Sequence, residues 1–110
     1  MKTELYWTRT ATPGRLAITP RPRGQDWLED EVRAWRGAGI DIVVSLLTAS
    51  EVLDLELSVE EVFCKKHSIE YRSFPIPDRG TPVSKDSFLR FIESLANELG
   101  AGKNIAIHCR

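Results

Sequence analysis

The run Asp41-Ile42-Val43-Val44-Ser45-Leu46-Leu47 is nearly continuously apolar, and it constrains the fold more than any other stretch. A strand with apolar side chains on both faces needs cover on both faces, as a parallel strand between layers of helices has. The run is therefore expected at the centre of a sheet. The stretch Asn104-Ile105-Ala106-Ile107-His108 has the same character and is expected to return to the sheet centre. Strand patterns alternate with helix patterns along the chain. The fold class that follows is α/β, three-layer, with a largely parallel central sheet flanked by helices.

Leu5-Tyr6-Trp7 and Leu16-Ala17-Ile18, separated by Pro13-Gly14, predict a hairpin at the sheet edge. Asp26 with Glu29 has capping-box spacing, and Leu28, Val32 and Trp35 share one face of the helix that would follow. Trp27 and Trp35 are expected in the core. Thr48 with Glu51, and Ser58 with Glu61, have the same capping-box spacing and predict two short helices. Ile69-Glu70-Tyr71-Arg72-Ser73-Phe74 alternates as a half-buried strand, and the prolines of segment 75–82 must take the chain out of the sheet as a stiff loop. Ser84 is placed to cap a helix whose Phe88, Phe91, Ile92, Leu95 and Leu99 recur at helical spacing until Gly100.

At 110 residues, the chain is expected to be a single domain, 1–110. A formal net charge of −1 gives no footprint for nucleic acid. Arg15, Arg21 and Arg23 are the one dense basic cluster; Arg21 and Arg23, between the second strand and the first helix, could form a secondary anion site but are expected to be a solvated, structural loop. No run approaches the roughly 18 apolar residues of a membrane span, so neither membrane nor nucleic acid is expected as a partner and a cytoplasmic location is the default. Cys64 and Cys109 lack the spacing of a zinc site or a disulfide scaffold and are expected as thiols, with Cys64 a small buried hydrophobe on a helix.

Taken alone, Cys109 at a strand end reads as another buried hydrophobe, and His108 as a satisfied core histidine. Two further features change that reading: the pair His108-Cys109 closes a buried strand, and Pro75-Ile76-Pro77-Asp78-Arg79-Gly80 sets an aspartate in a proline-bounded loop. On these residues the chain, over 15–110, resembles the cysteine-dependent protein tyrosine and dual-specificity phosphatase superfamily. The resemblance implies Cys109 as nucleophile, Asp78 as general acid, and His108 as a support of the thiolate through hydrogen bonds to backbone. Arg110 and Arg79 become the candidates for holding the substrate phosphate. No cofactor or metal is implied, and the partner is a phosphorylated protein or other phosphomonoester. Relatives often carry glycine where His67-Ser68 precedes the next strand, so one strained residue is expected there.

The superfamily signature continues past His-Cys with five residues, an arginine and a serine or threonine. The chain as given is accordingly expected to be the N-terminal part of a catalytic domain, inactive by itself, lacking the C-terminal helices. It would expose apolar sheet surface near Val43-Val44 and Ile105-Ile107 through which it could self-associate. Two other readings stand beside this one: a non-catalytic remnant or binding module, and a rhodanese-like sulfurtransferase, which also places Cys-Arg after a buried strand. The Asp78 loop favours the phosphatase, because a leaving-group acid has no comparable role in sulfur transfer.

Overall fold

The computed structural model describes residues 4–8, 11–76 and 84–109. Five strands, β1 (Tyr6–Trp7), β2 (Leu16–Ile18), β3 (Ile42–Ser45), β4 (Glu70–Ser73) and β5 (Ile105–His108), form one sheet in the order β1-β2-β5-β3-β4. Only the β1–β2 pair is antiparallel. The helices are α1 (Leu28–Gly37), α2 (Ala49–Asp54), α3 (Glu60–Lys66) and α4 (Lys85–Gly100).

The order of the strands decides the layers. The connections from β2 to β3 and from β3 to β4 travel the same way across the sheet, whereas the step from β4 to β5 travels back. Right-handed crossovers then require the returning helix to lie on the opposite face. Side chains alternate accordingly. Val43 and Ala106 pack with Leu28, Val32 and Trp35 of α1 and Cys64 of α3, while Ile42, Val44 and Ile105 pack with Leu95 and Leu99 of α4. Each fully buried branched side chain of this kind contributes about 1.5–3 kcal/mol.

Val43, Val44 and Ile105 are fully buried. The expectation that these strands expose apolar surface is corrected for Val43, which α1 and α3 cover, and for Val44 and Ile105, which α4 covers, whereas Ile107 is half-buried and its neighbour Ile18 is exposed. Among the described residues the exposed large apolar side chains include Ile18 at the sheet and Phe88, Leu89 and Ile92 on α4. Trp35 is buried as expected, but Trp27 is half exposed beneath the Arg23 guanidinium, 4.5 Å from the ring centre. At about 100° per residue, Trp27 lies one step off the stripe that Leu28, Val32 and Trp35 bury. Arg23 also donates to Glu31 from Nε at 3.1 Å and Nη2 at 2.9 Å, so it braces the loop against α1.

The capping signatures divide. Thr48 and Glu51 form the reciprocal box at α2. Asp26 instead lies in a single 3-10 turn (Gln25–Trp27), and α1 starts at Leu28 without a side-chain cap. Likewise Ser58 caps nothing; Val59 precedes α3 with no side-chain cap bond. Ser84 caps α4 through Ser87 N–H at 3.4 Å. Ser68 takes φ +64°, the left-handed conformation that glycine adopts without strain, which matches the expectation for that turn.

Candidate active site at the carboxyl ends of the parallel strands

The carboxyl ends of β3, β4 and β5 are tied together. Leu46 N–H donates to the His108 carbonyl at 3.0 Å, Phe74 N–H to Ser45 at 2.9 Å and Ile76 N–H to Leu46 at 2.9 Å. Phe74 stacks on Phe91 of α4 with ring centres 4.3 Å apart, anchoring the point where the chain leaves β4. Residue 76, two positions before Asp78 in sequence, and residue 109 thus emerge from the same end of the sheet, with β3 between them. This is the end where open parallel sheets place their ligands.

Cys109 follows β5 directly and is exposed, whereas His108 is buried. The resemblance implies a histidine bonded to backbone. Here the His108 ring bonds a side chain instead: its Nε2 lies 2.6 Å from Glu60 Oε2 on α3. The imidazole also stacks over Trp35, with centroids 6.0 Å apart and planes 20° apart. Glu60 Oε1, His108 Nδ1 and Trp35 Nε1 have no hydrogen-bond partner among the described residues.

Glu60 was not singled out by the sequence. Adjacent Glu60 and Glu61 look like ordinary acidic residues of a helix start, and Glu61 carried the capping-box spacing. The available signal was that Glu60 stands four residues before Cys64, on the same helical face, and both are buried. Burial, followed by the Glu60 and Glu61 carboxylates, pushes the Cys64 thiol up to about 12, so Cys64 stays protonated at neutral pH. Asp78, Arg79 and Arg110 lie outside the described residues. Among those described, no group of three or more His, Cys, Asp or Glu is arranged to hold a metal ion, and no helix is long and apolar enough to cross a membrane.

No family model matches the chain. A protein of Invertebrate iridescent virus 3, named Putative tyrosine phosphatase 067L, is 35% identical over 78 residues, which is 62% of this chain and 31% of the viral protein. A kinase-associated phosphatase, solved with serine in place of its catalytic-site cysteine, superposes with a TM-score of 0.87 at 18% identity, over 99% of this chain and 65% of its own. Tk-PTP in its active form superposes with a TM-score of 0.62 at 27% identity, over 87% of this chain and 57% of its own. The chain thus has the fold of the protein tyrosine and dual-specificity phosphatases. It spans about a third of the viral relative and less than two thirds of either solved structure.

Proposed function

We propose that these residues form the N-terminal part of a cytoplasmic phosphatase domain that hydrolyses phosphomonoesters, phosphotyrosine foremost and phosphoserine or phosphothreonine with it. The observation that carries the reading is the placement of Cys109, exposed at the carboxyl end of a central parallel strand, on a fold whose solved neighbours include phosphatases. Those neighbours also favour it over the sulfurtransferase reading.

In this reaction the Cys109 thiolate attacks phosphorus, forming a sulfur–phosphorus bond as the bond to the substrate oxygen breaks. Asp78 gives its proton to that departing oxygen. Water then attacks the cysteinyl phosphate with Asp78, now a carboxylate, taking its proton, and inorganic phosphate leaves as the thiolate is restored. Arg79 and Arg110 are the proposed phosphate contacts, and His108 supports the thiolate. A free thiol ionises near pH ~8.5, so the chemistry needs an electropositive setting around Cys109. Much of that setting belongs to the signature positions that follow Cys109, and residues 1–110 alone are proposed not to turn over.

The test is hydrolysis of an aryl phosphate by the full-length protein, with Cys109→Ser beside the wild type. Turnover by the wild type and its loss in the variant are expected, since a serine hydroxyl is a far weaker nucleophile in this position. Equal activity in both would remove Cys109 from the reaction. Thiosulfate consumption without phosphate release would replace the phosphatase reading with sulfur transfer.

A further inference from the structure

We infer that Arg21 is a specificity-determining residue that selects phosphorylated polypeptides carrying a carboxylate next to the phosphorylated residue. The inference rests on the phosphatase reading and names its substrate class. Arg21 and Arg23 lie on the loop that leaves β2, and the structure gives them different tasks. Arg23 donates to Glu31 through Nε and Nη2 and lies over Trp27, so its charge is matched. Arg21 is exposed and enters no ion pair among the described residues.

The loop begins beside the strand that delivers Cys109. β2 and β5 are parallel neighbours, paired at Ile18 and Ile107, so both leave the sheet at the same end. Thr19 N–H donates to the Ile107 carbonyl at 2.9 Å, which extends the ladder one step past β2 and sets Thr19 next to His108. With strands about 4.8 Å apart and successive Cα atoms about 3.8 Å apart, the Arg21 Cα stands no more than about 16 Å from that of Cys109. An arginine side chain and two or three residues of extended peptide, at about 3.4 Å each, span that interval.

The backbone that carries Arg21 is braced on both sides. Thr19 is 3% exposed, and its Oγ1 donates to the Glu4 carbonyl at 2.8 Å. Pro20 and Pro22 flank Arg21 with fixed φ, and Pro22 is buried. A Cβ on Gly24 would stand 2.7 Å from the Leu55 carbonyl oxygen, so the loop runs directly against the end of α2. An exposed arginine on such a backbone loses only side-chain freedom on binding, which leaves more of the contact as affinity. Its single guanidinium fork matches one carboxylate. A second phosphate dianion would call for further positive charge, and the Arg23 charge is already spent on Glu31.

The test uses the full-length protein carrying Cys109→Ser, so that binding is read apart from turnover. The probes are a phosphotyrosyl peptide with glutamate on both sides of the phosphotyrosine and its glutamine counterpart. The glutamate peptide is expected to bind about threefold to tenfold tighter at low salt, with the difference fading at high salt. Arg21→Gln should abolish the difference and Arg21→Lys should keep part of it. With Cys109 in place, kcat/KM should follow the same order through KM, while phenyl phosphate is hydrolysed equally by wild type and Arg21→Gln. Equal binding of the two peptides with Arg21 present would overturn the inference, as would a preference that survives Arg21→Gln, or one shown only toward a peptide with a second phosphate. A glutamate preference that follows Arg21 in a protein releasing no phosphate from any of these substrates would sink the phosphatase reading and leave this one standing.

Discussion

Glu29 on α1 bonds His67 at the end of α3, with 2.8 Å between Oε2 and Nε2, and the same oxygen meets Lys66 Nζ at 2.7 Å. One carboxylate therefore ties together the two helices that cover the same face of the sheet. The capping box read from Asp26 and Glu29 does not form: Asp26 lies in the 3-10 turn before α1, and the Glu29 carboxylate is engaged across the helix pair.

The tie carries a pH signature. The hydrogen bonds to Lys66, then His67, bring the Glu29 carboxyl from its ordinary 4.5 down to about 2. A carboxyl whose folded value lies below its unfolded value contributes stability above the unfolded value, and loses it as pH falls toward the folded one. The difference in urea midpoint between wild type and Glu29→Gln should be present at pH 6 and shrink between about pH 4.5 and pH 2. Salt should weaken it as well, since the cluster is partly solvated. A difference that stays constant across this range would mean that the tie acts through packing alone.

Thr48 and Ser58 carry the same local sequence signature, yet only Thr48 uses it. Thr48 N–H donates to Glu51 Oε1 at 2.9 Å, and Glu51 N–H donates to Thr48 Oγ1 at 3.3 Å. Thr48→Ala should destabilise the protein by about 1 kcal/mol, while Ser58→Ala should stay within about 0.5 kcal/mol of wild type. Chemical denaturation of the two variants side by side checks this, and equal losses would contradict the assigned helix starts.

Gly14 lies where β2 meets the segment leading into β5. A Cβ there would stand 2.0 Å from the Lys103 carbonyl oxygen and 3.0 Å from that of Leu99, and both of those neighbours are backbone. Gly100, at the end of α4, has nothing within 4 Å of its own position for a Cβ. Gly14→Ala should cost about 1–3 kcal/mol through forced backbone movement, whereas Gly100→Ala should be neutral or stabilising by up to about 1 kcal/mol. Thermal melts of both proteins test the contrast.

What the sequence made legible follows from the range of each interaction. The apolar runs at Val43-Val44 and Ile105-Ala106 determine their own burial, so the central strands could be read directly; of the α4 stripe, Leu95 and Leu99 are buried but Phe88 and Ile92 are exposed. The placement of His108 and Cys109 was legible because they are adjacent at the end of such a strand. Glu60 was not, because its partner is 48 residues away in sequence and nothing local separates a buried glutamate from an exposed neighbour. Trp27 was misread for a local reason: it stands one step off the stripe that Leu28, Val32 and Trp35 bury, with the Arg23 guanidinium over the part of its ring that the core leaves uncovered.

Asp78 is assigned the departing oxygen, and its role can be tested by varying that oxygen. If Asp78 supplies the proton, its removal matters most where the leaving group is a strong base. Asp78→Asn should slow hydrolysis of phenyl phosphate by ~10²–10⁴-fold in the full-length protein. The loss should shrink steadily along a series of aryl phosphates with more acidic phenols, because an anion stable in water needs little help to depart. Inhibition by inorganic phosphate should change little, since binding the dianion is assigned to other groups. Steady-state rates across the series give a slope against phenol acidity that is steeper in the variant than in the wild type. Parallel slopes would show that Asp78 does not protonate the leaving group, whatever the size of the overall loss.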